Sequence, residues 1–444
     1  MGGAALPTLL VMNVSLLDGW FPWALQLTAV AACFAAIGLR DRIWRLRRAP
    51  LAIGVSCVLT AAMAVAVVPL AGITDPVPLM LWVWVGAAIT ALAVLVTGWR
   101  SARWWRRAVA PVAAVLALAS AAEVLNVSTG YCTTLADAVG ELSDAPLPHE
   151  IALDQLGTVT GKTSTGRIVA VDIPSSGGFH PRRELVYLPP AWFRSRTRPK
   201  LPVLEMIGGE FSEPDNWPRT GNAVTTADAY ARKHHGFTPI LVFADASGGF
   251  KVDTECVNGP RGQAENHLTR DIPPYVEKTF NASADPHKWG VVGWSMGGTC
   301  AVGLTLEHPD VFSHFEDISG DAGPNAGNKQ QTIDHLYGGD AAAWASHDPL
   351  TVLAHHGKYP HVSGWFESGD QEGPHIRQAR QLSAAARKDG ITTAVVVAPG
   401  RHSWQFGATA FAQALPWLAH QLGSPGSKAA PPPPQTGTLG VARG

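Results

Sequence analysis

Four long runs of hydrophobic residues dominate the first part of the chain. They lie at 20–39, 51–73, 79–98 and 108–125. Each run is close to the ~20 residues that a helix needs to cross the hydrocarbon core of a bilayer. Tryptophans flank the runs, at positions 20, 23, 44, 99, 104 and 105, as aromatic residues do at membrane interfaces. The pattern predicts an N-terminal bundle of four transmembrane helices, a membrane anchor over residues 1–126.

The segments between these runs differ in charge. Five arginines lie in 40–48 and four in 100–107. By contrast, Asp75 is the one charged residue of 74–78, and residues 1–19 contain no lysine or arginine. Arginine-rich loops stay on the cytoplasmic side. We therefore expect a multi-pass protein of the plasma membrane, with the N-terminus and everything after about residue 126 outside the cytoplasm. Glu123 is the one charged residue inside the four runs, which gives little support to a transport role.

The pattern of hydrophobic and polar positions changes after the fourth run. Residues 127–150 are predicted to be a connector, and 151–422 alternate β-rich stretches with helical stretches, which predicts an α/β domain with a mostly parallel sheet. The predicted strands are 167–173, 184–188, 201–207, 239–244, 288–293, 362–368 and 391–398. The predicted helices are 265–281, 296–308, 374–388 and 405–421. The proline-containing segment 423–444 is predicted to be a disordered tail.

Charge and cysteine content narrow the function. The net charge is −1 with a pI near 7.0, so no basic surface indicates nucleic-acid binding. Cys132 and Cys256 both lie in predicted extracytoplasmic loops, where a bridge between them would be allowed. Cys300 is expected to be a small buried hydrophobic residue. We expect no metal, because no C-x-x-C or H-E-x-x-H spacing occurs and the pairs His234–His235 and His355–His356 are adjacent.

The chemistry is concentrated at Gly293-Trp-Ser-Met-Gly297, which follows an apolar strand and precedes a helical stretch. A G-x-S-x-G sequence in this context is typical of a strand-to-helix turn that exposes a serine hydroxyl. Ser295 is therefore the candidate nucleophile. Such a hydroxyl needs a base within hydrogen-bonding reach. His402 is the candidate base, because it follows the last predicted strand and precedes the last predicted helix.

A third group should orient the histidine, and the loop after strand 362–368 offers acids. Asp370 directly follows that strand at a glycine turn and is the preferred candidate. Glu372 is the alternative, and Glu367 is expected to lie still on the strand. The oxyanion hole needs two backbone donors. We expect the amide of Met296, the residue after the nucleophile, and one from the loop after strand 201–207, that of Gly209 or Glu210.

Three motifs resemble the esterase family that includes esterase D and the mycobacterial mycolyltransferases of the antigen 85 group. They are Gly293-Trp-Ser-Met-Gly-Gly298, the stretch from Leu306-Glu-His-Pro-Asp-Val-Phe312 to Ile318-Ser-Gly320, and Gly400-Arg-His-Ser-Trp404. The resemblance covers roughly residues 165–422. It implies an α/β-hydrolase fold, a serine triad, no cofactor and acyl ester substrates. The four-helix anchor resembles that of membrane-anchored actinobacterial members.

Three functions remain open at this point. The leading one is a membrane-anchored serine hydrolase that acts on lipid or cell-envelope esters through an acyl-enzyme. An acyltransferase of mycolyltransferase type, which passes the acyl group to a sugar or lipid hydroxyl, would use the same residues. A non-catalytic envelope protein could share the fold alone. The expected partners are an acyl ester or lipid substrate and the membrane, with no nucleic acid and no obligate protein partner.

Overall fold

The computed structural model describes residues 14–38, 40–70, 77–142, 146–159, 161, 163–250 and 252–429. The chain divides into two compact units, one up to residue 145 and the other from residue 146. Asp75 and most of the segment predicted as a disordered tail, residues 430–444, lie outside the described residues. Residues 423–429 of that segment are described and begin with a turn in which the Gly423 amide donates to the His420 carbonyl.

The first unit consists of helices. They are α1 (Trp20–Ile37), α2 (Ala49–Leu70), α3 (Leu79–Gly98), α4 (Trp104–Thr129) and α5 (Leu135–Leu142). A π-helical turn, Trp44–Arg48, leads into α2. Among the described residues, four stretches are long and apolar enough to cross a membrane: Trp20–Ile37, Trp44–Val68, Leu79–Ser101 and Trp104–Thr129. They match the four predicted runs, although the fourth extends to Thr129, into the segment predicted as a connector.

Small side chains fill the interior of this bundle, while larger apolar ones face outward. Helix α4 packs against α1 and α3, and the buried positions at these contacts are largely alanine, such as Ala29, Ala88 and Ala117. Phe34 and Val65 are each more than 70% exposed. Small residues between helices and large apolar residues outside are typical of helices that pack in a bilayer.

The second unit is built on a nine-stranded sheet. Its strands are β1 (Glu150–Ile151), β2 (Arg167–Val171), β3 (Glu184–Leu188), β4 (Val203–Ile207), β5 (Ile240–Phe243), β8 (Trp289–Trp294), β9 (His314–Ile318), β10 (Ser363–Gly369) and β11 (Thr392–Ala398). The order across the sheet is β1-β2-β3-β5-β4-β8-β9-β10-β11. Strand β3 runs antiparallel to both of its neighbours, and the other strands are parallel to one another. A small separate hairpin pairs β6 (Asn258–Gly259) with β7 (Gly262–Gln263). The predicted mostly parallel α/β sheet is confirmed.

Helices cover both faces of this sheet. They are α6 (Asn216–Arg219), α7 (Ala223–Lys233), α8 (Ala264–Asn266), α9 (Ile272–Phe280), α10 (Met296–Glu307), α11 (Lys329–Tyr337), α12 (Ala341–His347), α13 (Pro349–His356), α14 (Gly373–Lys388) and α15 (Trp404–Gln421). Phe366 of β10 packs in one core cluster with residues of α9, α10 and α14. The neighbouring Trp365 points to the other face, where its ring lies 5.6 Å from that of Trp417 in α15.

The central strand β8 determines where the chemistry can occur. It lies between β4 and β9, and α10 follows it directly. Because ligands of open parallel sheets bind at the carboxyl ends of the strands, the loops after β4, β5, β8, β9, β10 and β11 surround one edge. This edge holds the candidate functional site.

Candidate active site

Ser295 occupies the sharp turn between β8 and α10. Its backbone has φ 59° and ψ −121°, a conformation that costs a non-glycine residue free energy and that clusters at active sites. The turn needs glycine on both sides. A Cβ on Gly293 would lie 1.7 Å from the Gly297 carbonyl oxygen, and one on Gly297 would lie 2.2 Å from that of Ile207. The G-x-S-x-G sequence thus forms the predicted strand-to-helix turn.

His402 lies opposite Ser295, in the loop between β11 and α15. Its Nε2 is 2.9 Å from the Ser295 Oγ. The imidazole ring lies between two other rings, since its centroid is 5.1 Å from those of both Trp294 and His375. The structure therefore brings together the serine and the histidine that the sequence predicts.

The acid beside His402 is Glu372, not Asp370. The Glu372 Oε1 lies 2.6 Å from the His402 Nδ1. Asp370 is exposed, and its carboxylate accepts a 3.0 Å hydrogen bond from the Gly400 amide instead. The preference for Asp370 is wrong because β10 ends in a tight turn, closed by a hydrogen bond from the Glu372 amide to the Gly369 carbonyl. This turn carries the second acid, the alternative candidate, back over the strand end.

Glu372 is held as a carboxylate by its hydrogen bonds. Its second oxygen accepts from the Gly369 amide at 2.7 Å and from the Ser319 hydroxyl at 2.8 Å. Burial raises the pKa of Glu372, but the bond with His402 and these two donors outweigh burial, and the net pKa is lowered. An ionised carboxylate only accepts hydrogen bonds. The His402 Nδ1 is therefore the donor to Glu372, which leaves the Nε2 lone pair for the Ser295 proton.

The two backbone positions predicted for the oxyanion hole both lie next to Ser295. The Met296 amide is the first of α10, and the first amides of a helix have no partner within it. The loop after β4 approaches the serine closely, since a Cβ on Gly209 would lie 3.1 Å from the Ser295 Cβ. Both predicted positions thus border Ser295. Glu210 follows in the same loop.

Sequence reasoning did not single out Arg182. Its guanidinium binds the Asp245 carboxylate through contacts of 2.8 Å and 3.1 Å, and donates to the Ser212 carbonyl at 2.7 Å. Burial raises the pKa of Asp245, but the arginine outweighs it and the pKa is lowered, so the pair is ionic. Arg182 thereby joins the loop after β4 to the loop after β5. An arginine in a long irregular segment carries no local signal of this contact.

Ser319 and His375 are two further residues that the sequence did not assign. Ser319 has φ 54°, and its position in the Ile318-Ser-Gly320 motif was its only sequence signal. The His375 ring stacks on that of His402, and its Nδ1 lies 3.7 Å from the Glu372 Oε1. The group Glu372, His375 and His402 has the spacing of a metal site. A cation there would occupy the histidine that Ser295 needs.

The structure forms a disulfide other than the one that the sequence left open. Cys256 bonds to Cys300, so Cys256 is not paired with Cys132, and Cys300 is buried, as expected, but as half of a bridge and not as a simple hydrophobic residue. Cys132 belongs to the first unit, where its backbone bonds the Asn126 side chain. Proximity between residues 44 positions apart in sequence depends on the fold. The bridge ties the loop after β5 to the helix that begins at Ser295.

Comparison with known proteins shows the family of the chain. Residues 180–418 match the model of the family described as Putative esterase. They make up more than half of the chain and include Ser295, Glu372 and His402. An uncharacterized protein of Corynebacterium glutamicum is 30% identical over 416 residues, which cover 89% of this chain and 94% of that protein. The MPT51 antigen of Mycobacterium leprae is 29% identical over 144 residues, 30% of this chain and 44% of the antigen.

Solved structures with similar architecture include esterases. An S-formylglutathione hydrolase from Agrobacterium tumefaciens is 18% identical with a TM-score of 0.49, and the match covers 59% of this chain and 97% of that one. A ferulic acid esterase is 19% identical with a TM-score of 0.48, and the match covers 58% of this chain and 99% of that one.

Proposed function

The chain belongs to the Putative esterase family, and on this premise we propose that it is a membrane-anchored serine hydrolase of acyl esters whose site faces the outside of the cell. The observation that carries the proposal is the hydrogen-bonded chain from Ser295 through His402 to Glu372. Nucleophile, base and orienting acid in that geometry are the parts of a serine acyl-transfer site. Asp370, the preferred acid of the sequence interpretation, is not part of it.

Acylation follows from the order of these groups. As the Ser295 Oγ attacks the ester carbonyl carbon, its proton passes to the His402 Nε2, and the carbonyl oxygen becomes an oxyanion. The amides of Met296 and of Gly209 or Glu210 are the donors proposed for that oxygen. When the C–O bond to the alcohol breaks, the alcohol oxygen takes the proton back from His402. The products are the free alcohol and an acyl ester on Ser295.

Deacylation repeats these steps with water. His402 takes a proton from the water as the water oxygen attacks the acyl carbon, and it then protonates Ser295 as the acid leaves. Glu372 stays ionised throughout, and its charge stabilises the imidazolium that forms in both halves of the reaction. Its lowered pKa suits this role.

The rim of the site supports an apolar substrate. Among the described residues of the second unit, four large hydrophobic side chains are exposed: Leu153, Phe211, Phe250 and Val252. The last three lie in the loops after β4 and β5, and the rings of Phe211 and Phe250 are 5.4 Å apart. Phe211 follows Gly209, the residue beside Ser295, by two positions. An exposed apolar patch next to a reactive serine favours acyl chains or lipid esters.

Two features support a site outside the cytoplasm. The arginine-rich segments 40–48 and 100–107 meet at one end of the helix bundle, where the Arg40 guanidinium donates to the Ser101 hydroxyl at 3.4 Å. Arginine-rich loops mark the cytoplasmic side, and the chain leaves α4 at the opposite end. The Cys256–Cys300 disulfide also favours this side, because disulfides form and persist in oxidising compartments.

Fluorophosphonate labelling of membranes from cells that express the full chain tests the mechanism. We expect wild type to be labelled and Ser295→Ala to lose the label, because only an activated serine attacks the probe. In parallel, kcat/KM for p-nitrophenyl acyl esters should fall by about 10⁴-fold or more. Ser346→Ala, which removes an exposed hydroxyl on α12, is the matched control and should label normally. Retained labelling in Ser295→Ala would reject the assignment.

A further inference from the structure

Two glutamates and two histidines meet at the end of α10 that is remote from Ser295. Glu307 and His308 lie at the carboxyl end of this helix, Glu265 comes from α8, and His347 is the last residue of α12. Their side chains are mostly buried, with exposures between 14% and 19%. None of the four takes part in the proposed mechanism. The cluster is therefore a separate polar site that still has a path to solvent.

The distances within the cluster fit a small cation. The His308 Nε2 lies 2.9 Å from the Glu265 Oε1. The His347 Nε2 lies 3.3 Å from the Glu265 Oε2 and 3.5 Å from the Glu307 Oε2. One ligand atom each of Glu265, Glu307 and His308 lies within 4.8 Å of the other two. Tetrahedral ligands about 2.0–2.1 Å from a zinc ion lie about 3.3 Å from one another, which is close to the three contacts of 2.9, 3.3 and 3.5 Å.

The second nitrogen of His347 determines which atom faces the cluster. Its Nδ1 lies 2.8 Å from the Ala343 carbonyl oxygen. Because carbonyl and ionised carboxylate oxygens only accept hydrogen bonds, Nδ1 and Nε2 are both donors in the structure, and a cation would take the place of the Nε2 proton that faces the two carboxylates. A backbone carbonyl that holds the other nitrogen of a ligating histidine is a common arrangement around zinc.

A buried hydroxyl borders the same cluster. The Tyr337 ring lies 5.3 Å from the His347 ring, and its side chain is 7% exposed. Its hydroxyl is buried and has no hydrogen-bond partner among the described residues. A carboxylate bound to a cation keeps a free lone pair that can accept such a donor. The Tyr337 hydroxyl is thus available to donate a hydrogen bond to a carboxylate that binds the cation.

We propose that Glu265, Glu307, His308 and His347 form a structural binding site for Zn²⁺. Two imidazole nitrogens with two carboxylate oxygens suit zinc, whereas Ca²⁺ and Mg²⁺ prefer oxygen ligands alone. Four protein ligands leave no open position for a reacting water, which makes the site structural. The ion would join α8, α10 and α12, and so fix the helices after β9 to the helix that begins at Ser295. This proposal does not depend on the proposed function.

Zinc titration of the full chain tests the proposal. The protein is purified in detergent, stripped with EDTA, and titrated with ZnCl₂ or CaCl₂ by calorimetry. We expect the titration to give one zinc per chain. Thermal unfolding of the same protein should show a rise in Tm of about 5 °C at a zinc concentration near 100 times Kd. Calcium should give no comparable shift. The double variant His308→Ala/His347→Ala should lose both the binding and the shift.

Controls separate this cluster from the one around His402 and from misfolding. His375→Asn removes an imidazole from the group at the active site, and it should bind zinc as wild type does. Glu307→Gln keeps the side-chain shape and should fold but bind zinc more weakly. The proposal is overturned if wild type binds no zinc, if the double variant titrates like wild type, or if calcium stabilises equally. The first result would leave His347 as an imidazolium paired with both glutamates.

Discussion

Glu372 does more than face the histidine. It accepts hydrogen bonds from His402, the Gly369 amide and the Ser319 hydroxyl. These donors hold its carboxylate in one orientation, so that the imidazole keeps the tautomer with its proton on Nδ1. A neutral amide in this place could present its NH₂ group to Nδ1 and favour the wrong tautomer. The negative charge of this side chain, in addition to its shape, should therefore matter for catalysis.

We expect Glu372→Gln to lower kcat for p-nitrophenyl acyl esters by about 10³-fold with little change in KM. The reason is that the imidazolium formed in the transition state loses its counter-charge, while the substrate contacts remain. Asp370→Asn is the matched control, because it removes a carboxylate two positions away that accepts from the Gly400 amide and not from His402. It should retain activity within about threefold. Equal losses in both variants would contradict the assignment of the acid.

The sequence led to Ser295 and His402, which the structure places 2.9 Å apart, but it ranked the acid beside His402 second. The serine has a motif whose glycines are required by close backbone approach, and the histidine follows the last strand. By contrast, three acids lie in the six residues 367–372, and each could have been the partner. The choice depends on a turn closed by a backbone hydrogen bond between positions 369 and 372, and side-chain types do not encode that geometry.

At the level of strands, the hydrophobic pattern predicted correctly those strands whose buried residues are apolar. All seven predicted strands are present, whereas β9 and the two-residue strands β1, β6 and β7 were not predicted. The sequence of β9 is His314-Phe-Glu-Asp-Ile318, and all five residues are buried although three of them are polar. A strand that is buried on both faces and carries polar residues shows neither an alternation of apolar and polar positions nor a continuous apolar run. The sequence therefore contains no signal of the strand. Such strands can be found only when the surrounding fold is known.

Burial raises the pKa of an acid on β9. Asp317 lies under the first turn of α10 and accepts a 2.7 Å hydrogen bond from the Gly320 amide. Burial raises its pKa to about 7, and the charges of Asp321 and Glu372 act in the same direction, against the Gly320 amide. Glu367 on β10 behaves similarly, since burial raises its pKa to about 7. Both acids are therefore protonated in the folded protein at pH values where the unfolded chain ionises them.

These pKa values give a signed prediction for stability. A raised carboxyl pKa contributes stability that is complete below the unfolded value, near pH 4, and is lost as pH rises through about 7. We expect Asp317→Asn, which keeps the acceptor for Gly320, to reduce the fall in Tm between pH 5 and pH 8 by about 5 °C. Thermal unfolding of the full chain in detergent measures this, with the exposed Asp310→Asn as the control. An unchanged pH profile in Asp317→Asn would show that Asp317 is ionised in the folded state.

At the scale of the whole molecule, charge and redox chemistry favour the same proposed topology. The helix bundle has its arginine-rich segments at one end, where Arg40 contacts Gly98. At the other end, the residues before α1 meet those after α4 through a bridge between Ser15 and Thr134. If all four helices cross the membrane, as we propose, the chain after α4 lies on the side opposite to the arginines. Because that side is the outside under the charge rule, Cys256 and Cys300 are expected to meet oxidising conditions.

Reporter fusions test this arrangement directly. Alkaline phosphatase fused after residue 429 should be active, since it folds only where its disulfides form, whereas green fluorescent protein fused there should be dark. A fusion after Ser101, within the third to fourth helix connection, is the matched control and should show the reverse. We expect this orientation of the bundle because the reverse one would carry the nine arginines of segments 40–48 and 100–107 across the membrane. A fluorescent fusion at residue 429 would place the site in the cytoplasm, where the Cys256–Cys300 bridge would be exposed to reduction.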